Sequence, residues 1–158
     1  MQTPPAEDHA DVHILPPLLF LGGIALGVLL QLAVGLRFAA ESALRVPLGL
    51  ALVALGVAAM AWAIVWMSRT KQDPDPRKPT PELIAGGPFR WSRNPIYVGM
   101  ALIQTGVGLA LGNLWILLLL APTLWILRRG VIEKEEAYLT RKFGDAYTRY
   151  RASVRRWL

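Results

Sequence analysis

The residues able to do chemistry in this chain gather in two clusters. The first, Gly86-Gly87-Pro88-Phe89-Arg90-Trp91-Ser92-Arg93-Asn94-Pro95-Ile96-Tyr97-Val98-Gly99, turns a basic loop into an uncharged apolar run. Asn94-Pro95 reads as a helix start: an Asn cap accepts a bond from a free backbone N–H, and proline next to it has the right φ and no N–H to waste. Helix starts gather partial positive charge, so with arginines beside it this loop suits a charged ligand. The plainer reading is a capped helix with interfacial anchors. The second cluster is Glu135-Glu136. Written as a helix, Arg128, Val131/Ile132, Glu135/Glu136, Leu139 and Phe143 share one face. A carboxylate on such a stripe near a lipid boundary is costly without a partner. Two readings stand. Either Glu136 is solvated and Glu135 pairs with Arg128 or Arg129, or a carboxylate faces a cleft and binds something cationic or rich in hydroxyls.

The elements that must position these clusters are apolar. The chain has 158 residues, room for one domain, and is 54% hydrophobic, yet it carries 17 Lys+Arg against 11 Asp+Glu. Its charges are therefore segregated from long apolar runs. Residues 1–13 hold Glu7, Asp8 and Asp11 and no Lys or Arg, which argues against a secretory signal and for a short flexible tail. His9 and His13 read as solvated tail residues. From Ile14 to Leu36 the only strongly polar residue is Gln31, and a second uncharged run goes from Val46 to Met67, so 14–67 is expected to form two transmembrane helices. Small residues four apart, Gly23/Gly27 and Ala54/Ala58, suit close helix packing within the bundle. Residues 68–93 are a polar loop with six basic residues and five prolines. Its Asp73-Pro74-Asp75-Pro76 reads as a rigid solvated spacer rather than a metal site. Residues 94–127 carry no charge and read as a tight helical hairpin turning at Gly112-Asn113, and 128–158 as a basic helical tail.

The fold class that follows is all-α: a polytopic membrane bundle of four transmembrane helices with a C-terminal cytoplasmic helical segment, in one domain spanning 1–158. The loop 68–93 holds six basic residues and the tail nine, against Arg37 and Arg45 on the other side, so the positive-inside rule puts loop, tail and N-terminus in the cytoplasm. The basic excess points to anionic lipid as partner, and no motif reads nucleic-acid bases. With no cysteine and two histidines, thiolate, zinc and histidine chemistry are all unsupported, and no metal site is expected. There is no Gly-x-Ser-x-Gly elbow, phosphate-binding Lys loop or His-Glu-x-x-His. A site here must use arginine, carboxylate, tyrosine and backbone.

Two motifs then match a known family. Leu83-Ile84-x-x-Gly87-Pro88-Phe89-Arg90-x-x-Arg93-Asn94-Pro95-x-Tyr97-x-Gly99, followed by an apolar hairpin and Glu135-Glu136-x-x-Leu139-x-x-x-Phe143-Gly144-x-x-Tyr147-x-x-Tyr150, resembles the isoprenylcysteine carboxyl methyltransferase family. It is also similar to the related membrane phospholipid methyltransferases. The resemblance covers about residues 81–157. It implies an integral membrane enzyme using S-adenosylmethionine, held at the cytoplasmic end of the bundle. By that resemblance Leu83 and Ile84 give backbone contacts and Phe89 an aromatic wall. Asn94-Pro95-Ile96-Tyr97 cradles the cofactor with Arg93 before it, and Glu135, with Glu136 beside it, binds its polar end. The family's substrate-carboxylate arginine falls on Val131 here, so Arg128 or Arg129 is expected to substitute, with Tyr97, in the catalytic role. The usual Val-Pro-Arg near the C-terminus stands as Val154-Arg155-Arg156. Asn94 in place of the His of eukaryotic carboxyl methyltransferases resembles the bacterial and phospholipid-methylating branches, implying a bacterial inner membrane.

The expected activity is methyl transfer to a lipophilic or lipidated acceptor. Placement and exclusion of water matter more to that displacement than an acid or base. Two other readings compete: a nicotinamide-dependent membrane reductase with a similar C-terminal half, and a scaffold or lipid-binding protein without turnover. Acceptor identity and oligomeric state are not written in the sequence.

Overall fold

The computed structural model describes residues 9–36 and 42–158. Expectations for residues 1–8 and 37–41, Arg37 included, lie outside the described residues. Among those described there is no β-strand. The chain forms α1 (Pro16–Ala33), α2 (Ser42–Arg69), α3 (Pro95–Leu111), α4 (Leu114–Leu127), α5 (Glu133–Phe143) and α6 (Asp145–Ser153), with a 3-10 turn at Gly87–Arg90 and a π-helical turn at Arg128–Ile132.

Three helical runs are long and apolar enough to cross a membrane: Pro16–Ala33, Ser42–Arg69 and Leu114–Phe143. The protein is an integral membrane helical bundle. The fourth apolar helix, α3, has 17 residues and spans about 25 Å, so it falls short of the other three. The helical tail expected from Arg128 onward continues directly from α4. The chain passes from α4 through the π turn, where the Glu133 N–H bonds Arg128 O, straight into α5. The uncharged part of that run ends at Leu127, and Arg128-Arg129 and then Glu133-Lys134-Glu135-Glu136 follow beyond it, outside the membrane-spanning stretch.

The bundle is held together by glycine. Gly49 and Gly56 on α2 face Gly106 and Gly99 on α3, each pair seven residues apart. A Cβ at Gly56 would lie 2.6 Å from the Gly99 carbonyl oxygen, and one at Gly106 would lie 2.5 Å from the Gly49 oxygen. Two turns of helix separate successive contacts, so the helices run side by side at backbone distance, as close-packed membrane pairs do. The expected small pair on α2, Ala54 and Ala58, is instead exposed on the opposite side of that helix. On α1 the expectation of packing within the bundle holds: Gly23 faces Thr123 and Gln104, and Gly27 faces Ile116.

The turn at Gly112-Asn113 shows why those two residues stand together. Gly112 has φ +62°, which a Cβ disfavours, and Asn113 Oδ1 accepts the Ile116 N–H at 3.2 Å to cap α4. The Asn113 amide also donates to Gly27 O at 3.1 Å, fixing α1 to the hairpin. Arg45 closes the same end by donating to the Ala110 carbonyl at the end of α3.

Residues 9–13, expected in the flexible tail, are packed onto the other end. Ala10 and Val12 are buried while Asp11 and His13 are exposed, and the Val12 N–H donates to Ala10 O at 2.8 Å across a tight turn at Asp11. They join a cluster with Leu127, Val131 and Ile132, and Lys134 Nζ donates to Asp11 O at 2.7 Å.

Candidate functional site

The polar loop 68–93 has little regular structure of its own, so side chains from the helices hold it. Gly86 and Gly87 cross the Trp66 indole so closely that a Cβ at either would meet the ring. Gly87 also has φ +56°, so its missing side chain serves both the turn and the contact. The Tyr150 hydroxyl on α6 donates to Phe89 O at 2.8 Å, and the Tyr138 hydroxyl on α5 accepts from the Thr80 N–H at 3.1 Å. Within the loop, Asp73 and Asp75 accept the backbone N–H two residues on and pair with Lys78 and Arg77. The Arg77 hydrogen bond brings the Asp75 carboxyl down to about 2. The Asp-Pro-Asp-Pro segment is thus a rigid element, and its residues also form one wall of a cavity.

That cavity, of about 120 Å³, lies between the loop, the start of α3 and α5. All ten residues that the sequence proposes for cofactor contact line it: Leu83, Ile84 and Phe89 from the loop, Arg93 to Tyr97 at the entry to α3, and Glu135 and Glu136 on α5. Tyr97 belongs to both proposed groups. The other two residues proposed for catalysis are elsewhere. Arg128 Nε donates to Glu133 at 3.0 Å and Arg129 Nη1 to the same carboxylate at 3.2 Å, on an exposed surface. The π turn is the physical reason. Its extra residue per turn breaks the 3-4 spacing that would have set Arg128 below Glu135, and brings Glu133, five residues on, under Arg128. Val131 is completely buried in the apolar cluster.

The two adjacent glutamates have different partners. The Tyr97 hydroxyl donates to Glu135 Oε1 at 3.0 Å. Burial raises the partly exposed Glu135 carboxyl to about 7, the Tyr97 bond opposing the rise and the Glu136 charge adding to it. Glu136 is not solvated. It is buried against two arginines: Arg156 holds it through both oxygens, Nε to Oε1 at 2.9 Å and Nη2 to Oε2 at 2.7 Å, and Arg93 Nη2 lies 3.1 Å from Oε1. Arg156, arriving from the C-terminal segment, is the residue the sequence left without a role.

Asn94 departs from expectation in a related way. It stands at the start of α3 but makes no side-chain cap; its amide donates to Arg156 O at 2.9 Å. Ser92 Oγ donates to the same carbonyl at 3.3 Å, and the Arg93 N–H to Arg155 O at 3.0 Å. The C-terminal segment after α6 therefore lies along residues 92–94 as a strap, and Trp157 packs against the apolar cluster.

Sequence reasoning missed three tyrosines as site residues. All four tyrosines of the chain line the cavity. Tyr147 is fully buried, and burial, with the Glu136 charge, raises its phenol to about 12 against the opposing Arg93 and Arg151 charges. Tyr147 and Tyr150 stand three apart on α6, a spacing that sets both on one helix face, and this was the available signal. No group of three or more metal-ligating side chains occurs among the described residues.

A second, apolar cavity of about 280 Å³ adjoins the first. Leu15, Met60, Ile64 and Met100 line it between α1, α2 and α3, and Pro74, Asp75, Pro76, Ile96 and Tyr97 are common to both cavities.

Compared with known proteins, residues 44–146 match the family described as "Phospholipid methyltransferase". Among curated proteins, the chain is 39% identical over 72 residues to a protein-S-isoprenylcysteine O-methyltransferase of Schizosaccharomyces pombe. That stretch is 46% of this chain and 30% of the yeast protein, so the chain spans under a third of that relative's length. It is also 40% identical over 63 residues to an uncharacterized protein of Haemophilus influenzae, covering 40% of this chain and all of that protein. No solved structure matches.

Proposed function

We propose, from the premise that the chain belongs to the phospholipid methyltransferase family, that it transfers a methyl group from S-adenosylmethionine to a lipophilic acceptor at the cytoplasmic face of the membrane. The observation that carries this reading is the pairing of cavities. A polar one is lined by both charged motifs, and an apolar one opens beside it, with Tyr97 and Ile96 in the common wall.

The residues present fit the cofactor. Glu135 offers a partly buried carboxylate to an ammonium or to ribose hydroxyls, and Arg93 offers a buried guanidinium to a carboxylate. Aromatic faces from Phe89 and the tyrosines suit an adenine ring and a sulfonium. S-adenosylmethionine supplies a methyl group already activated for displacement, which needs no base of high strength. What the chain supplies is position. Tyr97 holds Glu135 through its hydroxyl, and Leu83, Ile84 and Phe89 bring the loop to the cavity wall. The acceptor's apolar chain lies in the cavity between α1, α2 and α3, and its head group reaches the common wall. Prenylcysteine carboxylates and phospholipid head groups are the acceptor classes in keeping with this. Both termini are cytoplasmic in this reading, in a bacterial inner membrane, because the basic loop and tail stay on the inner side.

Calorimetric titration of the purified protein tests the reading. Saturable binding of S-adenosylhomocysteine with none of NADPH is expected. Binding of NADPH alone points to a reductase, and binding of neither sinks the enzymatic reading. Incubating membranes with radiolabelled S-adenosylmethionine then identifies the acceptor as the labelled lipid or lipidated protein.

A further inference from the structure

The strap and Arg93 together make a charge arrangement that the proposed function does not by itself require. One carboxylate, Glu136, sits between two guanidiniums. Arg156 occupies both of its oxygens in the bidentate geometry that suits an arginine–carboxylate pair. Arg93 reaches it with Nη2 only. Its side chain is 9% exposed and lines the polar cavity beside the Tyr147 hydroxyl, and its Nε and Nη1 are buried without a well-formed hydrogen bond. Buried donors on a charged group are expensive to leave unmade. Counted by formal charge, the trio carries one positive charge in excess, beside Glu135, which already has the Tyr97 hydroxyl.

We infer that Arg93 is an oxyanion subsite of the cavity, and that Arg156 on the C-terminal strap is the positioning residue that keeps it so. By satisfying Glu136, Arg156 leaves the Nε and Nη1 edge of Arg93 for a carboxylate or phosphate of a bound ligand. Hydrogen bonds from the Ser92 hydroxyl and the Asn94 amide to the strap backbone set this register, because they tie down the Arg156 carbonyl while its side chain reaches Glu136. Without Arg156, Glu136 turns to Arg93 and closes the subsite. This inference rests on the reading of the cavity as the cofactor site, and it adds which group discriminates and what keeps that group available. The oxyanion has two sources, the amino-acid carboxylate of the cofactor and the phosphate of an acceptor lipid.

The test compares ligands that differ by the anion alone, each ratio being read within one protein so that a partly folded preparation does not imitate the effect. For the cofactor source, wild type binds S-adenosylhomocysteine at least tenfold more tightly than its decarboxylated analogue. Arg93→Gln abolishes that preference, Arg156→Gln reduces it at least fivefold, and Arg156→Lys falls between, since lysine keeps the charge and loses the bidentate grip. For the lipid source, the carboxylate preference is absent from wild type, and Arg93→Gln and Arg156→Gln selectively weaken a short-chain phosphatidylethanolamine relative to diacylglycerol of equal chain length. Either pattern supports the subsite and names its ligand. If Arg93→Gln or Arg156→Gln weakens both members of every pair equally, or changes neither, the inference is overturned. Failure of wild type to bind any adenosyl ligand defeats the cofactor reading instead, and the lipid pair still decides the role of Arg93.

Discussion

The two ends of the α2–α3 pair are built on opposite principles. Within the membrane, the helices meet through residues with no side chain at all: Gly49 and Gly56 against Gly106 and Gly99. At the site, the chain is held almost entirely by side-chain polar groups, with tyrosines, arginines and glutamates tying together a loop that has no ladder of its own. Lipid gives no hydrophobic reward for helix association, so close contact has to come from backbone approach. At the polar end water competes for every hydrogen bond, so the bonds that count are buried and charged. The difference teaches where each kind of change is tolerated: shape decides the first region, and charge and hydrogen bonding decide the second.

The sharpest way to break this comparison is to put a side chain at the helix contact. Gly56→Leu would drive a branched side chain into the Gly99 carbonyl and Ile103, and neither can yield without separating α2 from α3. A loss of about 3 kcal/mol or more in stability is expected, at the top of the range for overpacking because backbone is the obstacle. The thermal midpoint in detergent measures it. Ala54→Leu, on the exposed side of the same helix, should shift that midpoint little. Equal effects would show that the glycine contact does not organise the bundle.

At the polar end the expected losses are in binding rather than in folding. Glu135→Gln should weaken S-adenosylhomocysteine at least tenfold, about 1.4 kcal/mol, by calorimetry. An unchanged affinity would leave Glu135 no part in holding the ligand. The same carboxyl gives a pH signature whose two signs differ. Its acid form is favoured in the fold, because its pKa is raised from 4.5 to about 7. Its contribution to stability is therefore full below the unfolded value and lost as pH rises from about 4.5 to about 7. Affinity runs the other way, since a cationic or hydroxyl-rich ligand prefers the ionised carboxylate. Affinity should rise by a few-fold between pH 6 and pH 8 in wild type and be flat in Glu135→Gln, and a rise that persists in the variant would assign the titration to another group.

How much of this was legible beforehand divides along the same line. The apolar runs announced α1, α2 and the hairpin because hydropathy is a property of composition over many residues. The Gly112-Asn113 turn was legible because left-handed φ and an Asn cap are local demands. The α2–α3 glycine contact was hidden because its seven-residue spacing spans two turns, whereas the four-residue spacing of small residues on α2 points to Ala54 and Ala58. The ten cofactor candidates came from a family resemblance, and the structure gathers them at one cavity. What stayed hidden was everything that depends on pairing across the chain. Asn94 looks like a cap until the strap supplies a carbonyl for its amide, and Glu136 looks solvated until Arg156 arrives from twenty residues away.

The π turn at Arg128–Ile132 leads to the smallest expected effect and separates site from surface most finely. A helical wheel at constant pitch puts Arg128 on the face of Glu135, two turns before it and one turn before Val131, which is why a substrate role for Arg128 or Arg129 follows from the sequence. One wide turn alters the phase of all that comes after it, so Glu133 takes up both arginines and Glu135 faces the cavity with Tyr97 instead. The Arg128–Glu133 and Arg129–Glu133 pairs are exposed, where solvent screens ion pairs and their worth is small. Arg128→Ala and Arg129→Ala should each change S-adenosylhomocysteine affinity less than twofold, and their effect should shrink further as salt is added. A tenfold loss in methyl-transfer rate at unchanged cofactor affinity would put these arginines at the acceptor's head group and extend the site onto this surface. A twofold or smaller change in both quantities would leave the boundary where the π turn draws it.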